Sequence, residues 1–430
     1  MGCSIPSDVS LSALRRLRRW IHEGLFLRAH GGFPALDGVR AFAALFIILY
    51  HSAFWADHAP PLVMTRLPPD WIRWFLQRCW IGVDIFFALS GFLIGRILLV
   101  QLREGVIDLK SFYIRRVFRI FPAYYLVLTL SLFIFARLDR FSFLYQSAAW
   151  EYLFHRSPAN YAYISNYVYG ARQVTAMGWG WSLCIEEHFY LLLPAFLVLL
   201  FRWGKRSVRS GVLLALPLLP SIVRAAALFK QPSIVVWQDL YWESHTHCDG
   251  LLLGVLIAYF FVWHPDAFVR FASRLQGIAL GLALGCFASA FVWGGLTRPG
   301  FFPVVLQFFA LALGTALVLV SVLGRKNLVA RCLAHPFWYP IARVSYGMYL
   351  IHVFSVTWLF SLVPGARVAL ATSSSALLIF AACAALVSFV AASVLFLTVE
   401  LPLLRWGTRL SRKQLVVVPE TISLSSAAGR

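Results

Sequence analysis

His51 sits eleven residues beyond Arg40 in an otherwise apolar stretch. An imidazole ordinarily titrates near neutrality, so it can take and return a proton or attack a carbonyl through its unprotonated nitrogen. Other ionisable side chains interrupt apolar stretches too: Asp84, the run Glu186-Glu187-His188, Arg224 and His352. Ionisable groups at membrane depth are costly, which makes each a candidate functional site. A carboxylate on the second ring nitrogen of His51 would fix its tautomer and stabilise the imidazolium. His51, Glu186, Asp84 and His352 therefore form the candidate catalytic set. A lone membrane histidine is equally well read as a hydrogen bond between helices.

A second constellation is basic. Arg40 opens the His51 stretch, and Arg115, Arg116 and Arg119 fall within Tyr113-Ile114-Arg115-Arg116-Val117-Phe118-Arg119-Ile120-Phe121-Pro122. At spacings of three and four, Arg119 shares a helix face with both Arg116 and Arg115. Guanidiniums grouped in this way make a fork for phosphate oxygens. The same residues also read as an ordinary cytoplasmic basic cluster. With Arg40 at one end and His51 roughly 16 Å along the helix, the pattern suggests phosphates anchored at the surface and a reactive end that reaches a buried site.

These residues must be positioned by membrane helices. The 430-residue chain is 60% hydrophobic and only 13% charged, with a mean hydropathy of +0.75. A soluble domain needs about 25% charged residues to cover its surface. Ten apolar runs have the length of helical spans: 39–54, 80–100, 120–135, 181–201, 211–229, 251–263, 277–295, 304–323, 341–360 and 369–399. The sixth is short, and the tenth is long enough to tilt. Lys and Arg are more than twice as numerous in the segments on the N-terminal side of this map as on the other. That bias places both termini in the cytoplasm. The expected fold is all-α, a polytopic transmembrane helical bundle of about ten spans.

The net charge of +20 follows the loops, which argues against nucleic acid as its partner. The seven cysteines are scattered without a C-x-x-C, so the spacing offers no zinc site and no disulfide framework. Pro6 breaks the myristoylation pattern after Met-Gly, and no cleavable signal peptide is evident. Between the third and fourth spans, the run Asn160-Tyr161-Ala162-Tyr163-Ile164-Ser165-Asn166-Tyr167 suits stacking on sugars, or forms an interfacial aromatic belt.

Six strings, taken in order, carry a resemblance. They are Leu36-Asp37-Gly38-Val39-Arg40-Ala41 with His51, then Gly82-Val83-Asp84-Ile85-Phe86-Phe87-Ala88-Leu89-Ser90-Gly91, then the basic run ending at Pro122. Trp181-Ser182-Leu183-Cys184-Ile185-Glu186-Glu187-His188-Phe189-Tyr190, Ser345-Tyr346-Gly347-Met348-Tyr349-Leu350-Ile351-His352 and Glu400-Leu401-Pro402 follow. From about residue 34 to 405 the chain resembles the acyltransferase family 3 membrane proteins. Those proteins O-acylate surface polysaccharides, lipopolysaccharide, peptidoglycan, nodulation factors and some macrolides.

The resemblance implies ten core helices, a cytoplasmic acyl-CoA donor (usually acetyl-CoA) and an acceptor met at the outer face, with no metal. It matches His51 to the family's essential histidine and Arg40 to its basic partner. Arg116 and Arg119 match the pair linked to donor binding, and Arg115 is grouped with them. Glu186 matches the glutamate of its string, and Asp84 and His352 match recurrent polar positions. His188 departs from the family's usual glutamine. Ser244-His245-Thr246-His247-Cys248-Asp249-Gly250-Leu251 is also a variant, at a stretch expected to bear on acceptor choice.

The expected organisation is a basic cytoplasmic segment over 1–33, the membrane acyltransferase domain over 34–405 and a disordered cytoplasmic tail over 406–430. The expected setting is a bacterial plasma membrane. The expected partners are the lipid bilayer, a carbohydrate, glycolipid or glycosylated small-molecule acceptor, and a separate extracytoplasmic protein in place of the esterase-like domain that many members carry. Two mechanisms fit: His51 as general base for direct attack, or His51 as a transient acyl carrier. The alternative function is a transporter or flippase without covalent chemistry, which would use similar midplane polar residues and helices broken at prolines such as Pro194, Pro217 and Pro220.

Overall fold

Backbone polar groups in lipid must be satisfied within the protein, so apolar runs of this length are stable as helices. In the computed structural model the described residues (7–28, 32–57, 71–138, 150–168, 174–296, 298, 300–324, 327–362, 369–370 and 373–412) contain helices and no strand. The chain runs α1 (Ser7–Leu25), α2 (Pro34–Asp57), α3 (Trp71–Leu76), α4 (Gly82–Glu104), α5 (Leu109–Phe133), α6 (Trp150–Tyr161), α7 (Ser165–Val168) and α8 (Trp181–Trp203). It continues through α9 (Arg206–Ala215), α10 (Leu219–Lys230), α11 (Val236–Asp239), α12 (Asp249–Trp263), α13 (Pro265–Arg274) and α14 (Gln276–Trp293). The last helices are α15 (Gln307–Gly324), α16 (Leu328–Leu333), α17 (Trp338–Leu362), α18 (Ser374–Leu395) and α19 (Leu401–Arg412).

Nine helices among the described residues are long and apolar enough to cross a membrane, and the pair α12–α13 makes ten if it counts as one span. That pair turns through 113° at His264 and Pro265. Proline lacks the backbone donor and clashes with the preceding turn, so α12 stops there. This is the short sixth run of the sequence. The tenth run reaches further than expected, as a continuous stretch from Ser374 to Ser411. Residues 406–412, assigned to the tail from sequence, thus continue as α19, and 413–430 lie outside the described residues.

Asp108 starts α5 by accepting from the backbone N–H of Ser111 at 2.9 Å. The helix therefore begins well before the apolar run at 120–135 and carries Arg115, Arg116 and Arg119 on regular turns. Gly105, at φ +71°, closes α4 in the left-handed conformation that glycine adopts without penalty.

Helices α4 and α12 pack in close backbone contact, which small residues permit. A Cβ at Gly91 would stand 2.0 Å from the Leu251 carbonyl oxygen, and one at Gly254 would stand 2.3 Å from that of Ala88. Both obstacles are backbone, so neither can rotate away. Gly91→Ala is expected to lower stability by about 1–3 kcal/mol or more, seen as a fall in Tm of the detergent-solubilised protein. An unchanged Tm would contradict the close approach.

Candidate active site

The site lies among α2, α4, α8 and α17. His51 is half-buried, and its Nδ1 is 2.9 Å from the carbonyl oxygen of Ile47, one helical turn back. A carbonyl only accepts, so Nδ1 carries the proton and Nε2 is left with a free lone pair. His352, fully buried, is placed in the same way. Its Nδ1 is 2.6 Å from the Tyr349 carbonyl, so its Nε2 is an acceptor, 3.2 Å from Nδ1 of His51. The two ring centroids are 4.7 Å apart. The His51 N–H is thus shared between a carbonyl and a neutral imidazole, and no partner occupies its Nε2 among the described residues. Any charge that develops on the His51 ring meets an acceptor at once, which is the orienting role a carboxylate plays in other triads.

The carboxylate expected beside His51 is therefore replaced by a backbone carbonyl and a second histidine. The sequence-predicted carboxylates are engaged elsewhere. Glu186 lies beside the Ser90 and Tyr190 hydroxyls, with Arg40 and Arg116 within electrostatic reach of it. The Ser90 and Tyr190 hydroxyls are themselves 2.9 Å apart.

Glu186 lines a cavity of 330 Å³ together with Arg40, Arg116 and Arg119. The Arg116 guanidinium lies over the Tyr190 ring, 5.5 Å from its centroid. No protein group hydrogen-bonds the guanidiniums of Arg40, Arg116 or Arg119 among the described residues, which leaves their donors for a ligand. Arg115 points elsewhere: it joins Arg116 and Arg119 only in a smaller adjoining cavity of 230 Å³. The larger cavity runs inward to Ile47, Ser182 and Tyr349. Ile47 accepts from His51, and the Tyr349 ring lies 5.6 Å from that of His352. Tyr349 is fixed by its hydroxyl, 2.5 Å from both Ser182 Oγ and the Trp179 carbonyl.

A second cavity, of 450 Å³, is lined by Tyr50, Phe54, Trp80 and Trp237 among others. The Tyr50 ring packs edge-on to that of His51 at 5.0 Å. Arg40 and Ile47 of α2 thus line the first cavity and Tyr50 and Phe54 the second, with His51 one turn beyond Ile47 and next to Tyr50.

Asp84 is buried and holds a residue that the sequence reading quoted but did not assign. Its Oδ1 lies 3.0 Å from Nε2 of His247, while Nδ1 of His247 is 2.8 Å from the Tyr241 carbonyl. The His247 ring stacks on Trp181 at 5.5 Å. The signal lay in the sequence: His247 and Asp249 sit just where an apolar run begins, and buried charges need partners. Arg224, at span depth, finds Asp249. Its Nη1 and Nη2 reach the two carboxylate oxygens at 2.8 and 2.9 Å, and Nη2 also donates to Val305 O at 2.7 Å. His188 bonds Ser244 Oγ at 2.8 Å and so ties α8 to the same loop. In the tyrosine-rich segment, Tyr161 stacks on Tyr125 and Tyr163 on Tyr124. These rings pack against α5, while Tyr167 stays exposed.

The described residues hold no cluster of His, Cys, Asp and Glu able to bind a metal. The fold defines a multi-pass helical membrane protein, with a pair of facing histidines near a cavity lined by arginines. The chain belongs to the acyltransferase family 3, whose acyltransferase domain matches residues 33–398. It is 29% identical to the peptidoglycan O-acetyltransferase OatA of Listeria monocytogenes, over 74% of this chain and 48% of that one. It is 31% identical to the putative peptidoglycan O-acetyltransferase YrhL of Bacillus subtilis, over 54% of this chain and 34% of that one. A putative O-acetyltransferase of Staphylococcus aureus matches at 28%, over 76% of this chain and 51% of that one. The chain thus spans about half the length or less of these curated relatives. No solved structure matches it.

Proposed function

We propose that this protein is a bacterial plasma-membrane O-acyltransferase that moves an acetyl group from cytoplasmic acetyl-CoA to a hydroxyl of a carbohydrate-bearing acceptor, by way of His51. The observation that carries this reading is the course of α2, whose Arg40 and Ile47 line a cavity rimmed by guanidiniums, whose Tyr50 and Phe54 line one rimmed by aromatic rings, and which carries His51 beside Tyr50. Arg40, Arg116 and Arg119 suit the phosphates of the donor, and Glu186 orients Arg40 and Arg116. The thioester then lies toward Ile47 and Tyr349.

Attack by Nε2 of His51 on the thioester carbonyl forms a C–N bond and breaks the C–S bond, leaving an acyl-imidazolium that keeps its Nδ1 proton and a thiolate that takes a proton from water. The acceptor hydroxyl then attacks the acyl carbon and its proton passes to Nε2 as the C–N bond breaks; the imidazolium returns that proton to water, and the ester departs from the second cavity. His352 accepts from Nδ1 of His51 throughout and disperses the charge. The relay suits a cytoplasmic donor and an acceptor at the outer face, because the two need never meet. The peptidoglycan acetylation named for the relatives supports a glycan acceptor and an acetyl group.

The test is rapid quenching of purified protein mixed with radiolabelled acetyl-CoA and no acceptor. The relay predicts a burst of label on the protein, lost in His51→Ala. No burst without acceptor but consumption of label once acceptor is added would point to direct attack, and no consumption of donor even with acceptor would sink the reading. Arg116→Gln is expected to raise the donor KM about 10–100-fold, the effect of losing one charge-assisted hydrogen bond of about 1.5–3 kcal/mol. An unchanged KM would remove Arg116 from the donor site.

A further inference from the structure

The second cavity has a charge that the transfer chemistry does not require. Among the described residues its only charged lining residues are Arg78 and Arg298, and no acidic side chain lines it. Arg78 is fixed in place: Nε donates to Phe291 O at 2.6 Å, Nη1 donates to Trp74 O at 3.1 Å, and the guanidinium lies over the Trp74 ring at 4.1 Å. Arg298 donates from Nη1 to Val292 O at 2.7 Å. Both side chains are thus pinned to the same end of α14, within electrostatic reach of one another.

Two like charges held together at the edge of an apolar bundle repel, and a bound anion relieves that repulsion. Four aromatic residues of the lining, Tyr50, Phe54, Trp80 and Trp237, offer the flat apolar faces on which pyranose rings stack. At 450 Å³ the cavity falls in the size range of sites for small ligands.

We propose that this cavity is the acceptor subsite and that it selects an anionic glycan, with Arg78 and Arg298 binding a carboxylate or phosphate on the acceptor while the aromatic residues hold its sugar ring. The proposal rests on the reading of the second cavity as the acceptor side. A sugar acid and a phosphate-linked glycan share the chemistry that the two guanidiniums recognise. The neutral sugars that stack equally well lack it, so the arginine pair sets specificity and the aromatic residues do not.

The test measures binding to the purified full-length protein without donor, by calorimetry, for three probes. These are cellobiose, the disaccharide of the same linkage ending in glucuronate, and cellobiose phosphate. At least one anionic probe is expected to bind about tenfold or more tightly than cellobiose. That preference should shrink in about 0.5 M salt and fall to within about twofold in Arg78→Gln/Arg298→Gln. The charge-keeping pair Arg78→Lys/Arg298→Lys should retain most of it, and the single Arg298→Gln, at the exposed position, serves if the double variant misfolds. The tighter of the two anionic probes distinguishes a sugar acid from a phosphate-linked acceptor. Equal affinity for all three probes, absent binding included, overturns the proposal, and so does a preference that survives in the glutamine variants. Since no donor is present, failure here leaves the transfer reading standing, and failure of the His51 burst leaves this result intact.

Discussion

His51→Ala is expected to abolish acyl transfer, with a fall in kcat of about 10³-fold or more. Alanine removes both the lone pair of Nε2 and the N–H shared by Ile47 and His352, and nothing else in the site can replace them. Tyr50, the adjacent residue, carries a weakly acidic phenol, and the carboxylates of Asp84 and Glu186 are held by His247 and by the Ser90–Tyr190 pair. Donor binding should be nearly unchanged, because the guanidiniums that rim the first cavity lie at the other end of α2. The measurement is kcat and donor KM for acetyl transfer in reconstituted vesicles. His352→Asn separates the roles, since an amide oxygen can still accept from the His51 N–H but cannot accept a proton. It should lower kcat by far less than His51→Ala does. Equal losses would mean that His352 itself handles the acyl group or its proton.

The largest expected effect on stability comes from the buried ion pair. Arg224→Met is expected to cost about 3–5 kcal/mol, because it leaves the Asp249 carboxylate buried without its counter-charge. The two side chains are 0% and 1% exposed, so water cannot compensate the loss. The guanidinium also satisfies the carbonyls of Thr246 and Val305, which ties the turn before α12 to the start of α15. Replacing both partners, as Arg224→Met/Asp249→Leu, removes the uncompensated charge along with the pair. It should recover much of the loss, leaving mainly the cost of the unsatisfied carbonyls. Thermal unfolding in detergent measures all three proteins. A single variant as stable as the original would show that the pair contributes little. A double variant as unstable as the single one would assign the effect to the carbonyl contacts.

The sequence by itself determined what is local. Each apolar run is long enough to cross a bilayer only as a helix, and the spacing of Arg40 and His51 on one continuous helix puts a guanidinium and an imidazole at opposite depths whatever surrounds them. The basic turn of α5 is legible for the same reason, since residues three and four apart share a helix face. The order of the strings from Leu36 to Pro402 carried the family, which the match over residues 33–398 bears out.

Only the tertiary structure decided which partner each buried polar group finds. His51 meets His352 across 301 residues of chain, and Asp84 meets His247 across 163. From sequence, Asp84 and Glu186 were the nearest candidates for the imidazole, because composition names the groups that need partners but not the helices that touch. Contact depends on where backbones can approach, as at Gly91 and Gly254, where a single missing methyl group lets α4 and α12 meet. At the other end of α12 from the bend at Pro265, the segment that leads into the helix brings His247 to Asp84, and Asp249 at its first position meets Arg224. Span length and charge bias are sums over neighbours in the chain and survive any packing. The pairing of buried charges is a property of the packing itself, because in a low-dielectric interior each finds its partner only where a helix interface delivers one.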